Sequence, residues 1–287
     1  MSQLFLAPEG IFPATKDAAG NPIKKKPATG FTIPGTIQGE GKMAGLPALF
    51  LRLSGCNLRC MWNLPNGDIS ICDTPHASFS TDFETLENTE DVARKIIYNL
   101  GNIPLLVISG GEPLIQANGL MDLIKHLRSE KPDIKIAIET NGTIFNEKLA
   151  DLIDFFSISP KLKNALPTLE KVKKAGIVLP ADPDNYKMIQ INIRVLQDYI
   201  DLCKNSLEKD FQLKFVISSE NETNEIKDQY LDRLTGWKSE DIVLMPLGST
   251  PEELAQTRLM AMETAIKNGF RYTPRLQVTY FDGIAGV

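Results

Sequence analysis

The chain's 287 residues, 43% of them hydrophobic, are enough for one substantial core, so a single α/β domain with decorations is expected. With 31 Lys and Arg against 36 Asp and Glu, a net charge of -5 leaves no general cationic field for a polyanion; no nucleic-acid partner is expected, and a small-molecule substrate is. Two histidines are too few for a Ser/His/Asp triad or an imidazole-rich metal site.

Residues 1–35 are rich in Gly, Pro and Ala, show no sustained period, and read as a mostly irregular N-terminal extension. The run Lys24, Lys25, Lys26 within them reads as a solvated turn. No basic segment followed by an apolar run opens the chain, and no stretch approaches the roughly 18 apolar residues of a spanning helix. A soluble, cytoplasmic protein with no membrane partner is expected.

Residues 36–287 read as the main domain. From Ala48 onward, apolar runs of strand length alternate with amphipathic segments of helix length, the pattern of repeated β/α units and a parallel sheet. Strands are predicted at Ala48 to Leu53, Leu105 to Ser109, Ile134 to Ile138, Phe155 to Ile158, Leu213 to Ile217 and Ile242 to Met245. Helices are predicted at Thr89 to Leu100, Leu120 to Glu130, Glu147 to Asp154, Tyr186 to Ser206, Glu222 to Thr235 and Pro251 to Asn268. His126, to one side of its helix's apolar stripe, belongs at the flank or in solvent. Six such units suit a partial (β/α)6 barrel of TIM-like type or an open sheet. Polar and Gly-rich clusters follow each predicted strand: Ser54-Gly55-Cys56, Gly110-Gly111-Glu112-Pro113, Glu139-Thr140-Asn141-Gly142, Ser159-Pro160-Lys161, Ser218-Ser219 and Pro246-Leu247-Gly248. In parallel β/α folds these strand ends share one rim, where active sites are built.

Three of the four cysteines fall within residues 56–72, a grouping that suits a metal better than a disulfide framework spread across the fold. Cys56 and Cys60 are four apart in Cys-Asn-Leu-Arg-Cys, and Cys72 follows eleven further residues. Three soft thiolates fit zinc or an iron-sulfur cluster, and a set of three leaves one metal position open for an exogenous ligand. The insertion at 61–71 contains Asn66-Gly67, a strong hairpin signal, so its feet can bring Cys60 and Cys72 together while the hairpin projects outward. Cys203 continues the helical stripe Leu196, Tyr199, Ile200 and reads as a buried structural thiol.

Several motifs together resemble the radical S-adenosylmethionine (SAM) superfamily and, within it, the 7-carboxy-7-deazaguanine synthase family of queuosine biosynthesis. They are Thr36-Ile37-Gln38-Gly39-Glu40-Gly41, Arg52-Leu53-Ser54-Gly55-Cys56, Cys72-Asp73-Thr74, Ser109-Gly110-Gly111-Glu112-Pro113-Leu114, Glu139-Thr140-Asn141-Gly142 and Ser159-Pro160-Lys161. The first cysteine gap and Ile71 before Cys72 match the superfamily's pattern; the second gap is about nine residues longer. Gln277 stands where some members have a histidine.

The resemblance implies a 4Fe-4S cluster on Cys56, Cys60 and Cys72, whose remaining iron binds SAM and whose electron generates a 5′-deoxyadenosyl radical. It implies SAM contacts from Ile71, Asp73, Gly110, Gly111, Glu112, Ser159, Pro160 and Lys161. Gly110 and Gly111 lack Cβ atoms, so backbone can come close to the ligand, while Glu112 either accepts from the SAM ammonium or holds the loop. Thr74 resembles the family's magnesium-binding threonine, although Asp73-Thr74-Pro75 is also a good turn or helix start. The implied substrate is 6-carboxy-5,6,7,8-tetrahydropterin, with Ile37, Gln38, Gly39, Glu40, Arg52 and Ser109 to meet its carboxylate and ring edge. A structural ion pair is the competing role for Arg52. A reductant such as flavodoxin or ferredoxin and a homodimeric state are further implications.

Two other readings are open. One is a different radical SAM reaction, such as activation of a glycyl-radical partner, which does not call for Gln38-Gly39-Glu40-Gly41. The other is a non-enzymatic metal or redox sensor in which Cys203 completes a closed four-thiol site. Replacing Cys203 by Ser abolishes metal binding in the closed site and leaves it intact in the three-cysteine site, as iron and zinc analysis of the purified variant will read.

Overall fold

The computed structural model describes residues 2–79, 85–187 and 191–287. Its strands in chain order are β1 (Gln3–Phe12), β2 (Thr36–Ile37), β3 (Pro47–Leu53), β4 (Met61–Asn63), β5 (Ile69–Ile71) and β6 (Thr85–Asn88). There follow β7 (Leu105–Gly110), β8 (Lys135–Thr140), β9 (Phe155–Ile158), β10 (Asp210–Ile217), β11 (Ile242–Pro246) and β12 (Arg271–Tyr272). All but β4 and β5 join one sheet of order β12-β11-β10-β9-β8-β7-β3-β1-β6, with β2 paired to β3. From β3 to β12 every pairing is parallel, whereas β1, β2 and β6 pair antiparallel. The path ends at β12 and β6, which are not paired to each other among the described residues, so the fold is a partial barrel.

The six predicted strands lie within β3 and β7–β11, shifted by no more than a few residues. Helices Thr89–Leu100 and Pro251–Asn268 stand at their predicted bounds. The predicted Glu147 to Asp154 helix stops at Ala150, and that predicted from Glu222 to Thr235 stops at Gln229 before a 3-10 turn over Leu231–Arg233. Of the helix predicted from Tyr186 to Ser206, Ile193–Lys204 is helical, a short turn covers Asp184–Lys187, and 188–190 lie outside the described residues. His126 is exposed.

The N-terminal extension is only partly irregular. Its first third is β1, which is bonded to both β3 and β6. Pro8 and Gly10 hide the strand's period in the sequence, and the register to β3 shifts between Leu6 and Ile11. Leu4, Leu6 and Ile11 nevertheless enter the main core. Residues 13–35 are irregular, anchored by Asn99, whose side chain accepts from the amides of Thr15 and Lys16 and donates to the Lys16 carbonyl.

Side-chain alternation along the strands makes the site. Leu49, Leu51 and Leu53 of β3, with Leu106, Ile108, Ile136, Ile138, Phe156 and Ile158, join the core beneath the outer helices. The opposite face first carries an apolar floor, Phe50, Val107, Ala137 and Phe155, on neighbouring strands in register. Two residues farther toward the strand ends the same face turns polar: Arg52 is in register with Ser109, Glu139 with Ser157, and Ser157 with Gln212.

The insertion forms the predicted hairpin, β4 against β5, whose tip at 65–68 is exposed while its base packs against the domain. Its loop comprises Pro65, Asn66 and Gly67, closed by bonds from the Gly67 and Leu64 amides to the Leu64 and Asp68 carbonyls, with Gly67 at φ 89°. Trp62 and Leu64, both on the first arm, bury against Leu58, Cys60, Ala165 and Leu247, since apolar side chains are better removed from water. The buried Lys171 Nζ fastens the hairpin from behind, donating to the carbonyls of Met61 at 2.9 Å, Asn164 at 2.6 Å and Leu166 at 3.0 Å. Ser70 also bonds Glu253 at 3.0 Å. Lys171→Met, which leaves one buried and two part-buried carbonyls without this donor, is expected to lower the unfolding free energy by about 2 kcal/mol, measurable as a lower urea midpoint at unchanged m-value.

Candidate active site

A cavity of about 210 Å3 opens at the C-terminal ends of β3 and β7–β11, above the polar inner band. The thiols of Cys56, Cys60 and Cys72 line it, and the Cys72 amide donates to the Cys60 carbonyl at 3.1 Å across the feet of the hairpin. Eleven intervening residues therefore add no distance between these two ligand candidates. Burial pushes the Cys56 thiol up to about 12 and moves Cys60 in the same direction, so metal ions must displace the protons. Among the described residues no three His, Cys, Asp or Glu side chains converge as one metal ion would require. Three thiols on one cavity, with no fourth beside them among the described residues, are the donor set for an iron-sulfur cluster with one open position. Cys203 lies elsewhere, in the main core with Leu196, Tyr199 and Ile200, so a closed four-thiol site is not formed.

The loop bearing Cys56 is held by backbone packed too closely for side chains. The Gly111 amide donates to Leu53 O, the Glu112 amide to Gly55 O and the Gly55 amide to Ala77 O. A Cβ on Gly110, whose φ is 143°, would lie 2.2 Å from Leu53 O, and one on Gly111 would lie 2.1 Å from Gly55 O. Protein backbone, before any ligand, demands these glycines.

Glu112 is not among the residues that line the cavity. It points away from the cavity, is buried, and accepts from the Leu114 amide at 3.1 Å, Thr140 Oγ1 at 2.8 Å and the Asn141 amide at 2.7 Å. With three donors already served, its carboxylate joins the ends of β7 and β8 and makes no wall of the cavity. Burial pushes its pKa up, against which those donors act. Pro160 likewise does not line the cavity. Ile37, Gln38, Gly39, Glu40, Arg52, Ile71, Asp73, Thr74, Ser109, Gly110, Gly111, Ser159 and Lys161 all do.

Glu40 is the hub of a buried charge network. Its Oε1 accepts from Arg275 Nε at 2.9 Å and from Gln277 Nε2, its Oε2 from Lys214 Nζ, and Arg275 continues to Asp73 and to the Gly248 carbonyl. Burial alone would raise the Glu40 pKa, but Lys214 and Arg275 beside it hold the carboxyl well below the usual range. Gln277 Oε1 is buried without a hydrogen-bond partner among the described residues.

Arg52 lies over the Phe12 ring at 4.8 Å, and its Nε is buried without a hydrogen-bond partner among the described residues. Glu139 faces the same cavity, accepting from Ser109 Oγ at 2.8 Å and Gln38 Nε2 at 3.2 Å. Thr74 begins the short helix Pro75–Ser78, yet its hydroxyl caps nothing and lies 3.4 Å from Cys72 Sγ. Lys161 Nζ donates to Ser159 Oγ at 2.8 Å. Sequence reasoning assigned no role to Glu139, Lys214, Arg275 or Trp62, all of which line the cavity. Strand alternation from Arg52 would have found Glu139 and Lys214; nothing local marks Arg275, whose place depends on the return of the C-terminal segment.

Residues 52–178 match the radical SAM superfamily. The chain is 33% identical over 253 residues to the 7-carboxy-7-deazaguanine synthase of Halobacterium salinarum, covering 86% of this chain and 88% of that protein. Against the synthase of the same name from Rhodopirellula baltica the identity is 31% over 249 residues, covering 87% and 84%. The crystal structure of QueE from Escherichia coli is similar in fold, with a TM-score of 0.55 at 21% identity over 92% of this chain and 93% of that one.

Replacing Glu40 by Gln removes the charge that Lys214 and Arg275 share, at an expected cost of about 3 kcal/mol in denaturant unfolding. Adding Lys214→Met should recover part of that loss, so a double-mutant cycle will show the two substitutions costing less together than their sum.

Proposed function

The chain belongs to the 7-carboxy-7-deazaguanine synthase family of radical SAM enzymes, and we propose that it converts 6-carboxy-5,6,7,8-tetrahydropterin to 7-carboxy-7-deazaguanine with loss of ammonia, in the queuosine pathway. It uses a 4Fe-4S cluster and SAM. The observation that supports this substrate best is that three cysteine thiols and the polar inner band, with Arg52 Nε unpartnered among the described residues, line one cavity.

In this reading Cys56, Cys60 and Cys72 hold the cluster, and Gly110, Gly111, Ser159, Lys161, Ile71 and Asp73 surround SAM. When bound, the cluster and SAM would supply the electron and the carbon-centred radical that hydrogen abstraction at C6 of the substrate requires. The chain's own residues orient the substrate. Arg52 meets its carboxylate, since a guanidinium with an unused buried N–H gains most from an anion with paired oxygens. Glu139 offers acceptor oxygens to the guanidine-like ring edge, with Ser109 and Gln38 fixing the carboxylate that does so. Glu40 has both oxygens engaged by protein donors, so its role is to position Lys214, Arg275 and Gln277. Ile37 and Gly39 form the adjoining wall. Thr74, its hydroxyl spared from capping, is the candidate magnesium ligand.

The reductant is a low-potential carrier such as flavodoxin or ferredoxin, the enzyme works as a homodimer, and it resides in the cytoplasm. No helix among the described residues is long and apolar enough to cross a membrane.

Anaerobic reconstitution followed by assay with SAM, magnesium and the carboxy-tetrahydropterin is expected to yield the deazaguanine and ammonia. Cleavage of SAM with no turnover of the pterin would instead favour a partner-activating reaction. Loss of the charge in Arg52→Ala should lower kcat/KM about 10- to 100-fold while the cluster still loads. Thr74→Ala should raise the magnesium concentration needed for half-maximal rate.

A further inference from the structure

Arg59 precedes Cys60 in the loop between the first two cysteines, and it is only 8% exposed. Its Nη1 donates to the carbonyls of Cys56 at 2.5 Å and Leu58 at 2.8 Å. The guanidinium lies 5.9 Å from the Phe79 ring and 6.0 Å from the Tyr186 ring, within cation–π range of both. Its Nε is buried and has no hydrogen-bond partner among the described residues. A guanidinium stays protonated at every accessible pH, and a buried cation is costly unless a counter-charge is near. Two carbonyls hold the side chain in place but carry only partial charge. A purely structural role, bracing the loop, accounts for Nη1 and the ring contacts but leaves Nε unpartnered and the charge without an anionic partner among the described residues.

We infer that Arg59 is a positioning residue for the iron-sulfur cluster, whose fixed cation beside Cys56 and Cys60 raises the cluster's reduction potential. The inference rests on the cluster being held by the three cysteines as proposed above. Reduction moves one electron from the donor to the cluster, making the cluster more negative by one charge and leaving the donor oxidised by one; no bond is made or broken. A cation held in a poorly solvated loop favours the more negative state, as net charge and hydrogen bonding to sulfur are known to do for such clusters.

The test is a dithionite titration of the anaerobically reconstituted full chain, followed by electron paramagnetic resonance, for wild type, Arg59→Gln and Arg59→Lys. At a fixed potential, Arg59→Gln should lower the ratio of reduced to oxidised cluster at least tenfold, which is about 59 mV for one electron, with iron and sulfide content unchanged. Arg59→Lys, which keeps the charge, should stay within about threefold of wild type. A loaded Arg59→Gln protein whose ratio changes less than tenfold overturns the inference. Should that variant take up no cluster, Arg59→Lys decides: loading with a near wild-type ratio supports the role of charge, and failure to load or a tenfold shift overturns it. A wild-type chain that binds no cluster overturns this inference together with the reading it rests on, whereas loaded proteins of equal potential overturn the role of Arg59 alone.

Discussion

Backbone packs directly against backbone where β7 ends against the first cysteine loop, and the cavity's geometry hangs from that junction. Three amide-to-carbonyl bonds join Gly111 to Leu53, Glu112 to Gly55, and Gly55 to Ala77. Ala77 closes the turn that follows Cys72, so the same junction fixes both ends of the cysteine segment. No side chain fits between these strands of backbone, which is why Gly110 and Gly111 are glycines irrespective of what binds beside them. Glu112 extends the junction to β8 through Thr140 and Asn141, and Asn141 in turn bonds Asn57 of the cysteine loop at 2.8 Å. A carboxylate committed to three donors is a rigid connector, and rigidity is what a site requires when it must hold reacting atoms in one arrangement.

Beyond that junction, electrostatics organises the cavity's far side. Glu40, Lys214, Arg275 and Asp73 come from a loop, a central strand, the C-terminal segment and the cysteine segment, and each charge is matched across elements remote in sequence. Burying such charges costs solvation that pairing merely returns, so the network contributes little to net stability while making misplacement of any one member expensive. Its effect is to hold the Gln38 to Glu40 loop over the cavity in a single position relative to the cysteines.

The parallel core was legible because strands covered by helices read as short apolar runs, and Leu105–Gly110 or Phe155–Ile158 contain little else. β1 was not legible: Pro8, Gly10 and a register shift conceal it, and its strand character comes from pairing with β3 and β6. Most of the cavity's lining could be named from motifs, since each follows a strand and the strands deliver their ends to one rim. Facing direction was the part that motifs could not supply. Glu112 and Lys161 both sit in conspicuous clusters beside the rim, yet hydrogen-bond demand turns one inward to the loop and leaves the other on the cavity wall. Arg275 was invisible for the opposite reason, having no motif at all and a position set by a long-range return of the chain.

The hairpin between Cys60 and Cys72 shows how a departure in spacing can leave chemistry intact. Spacing rules for cysteine motifs work because short gaps bound the distance between sulfurs. An antiparallel hairpin removes that dependence, since its two feet lie side by side whatever its length, and here the Cys72 amide reaches the Cys60 carbonyl directly. The price in a free hairpin would be fraying, because two short strands are barely stable alone. This one is fixed by the burial of Trp62 and Leu64 and by bonds from Lys171 and to Glu253, so the insertion behaves as part of the wall. Added residues thus give the cavity an aromatic surface in Trp62, held in place by Lys171, over 100 residues away in sequence.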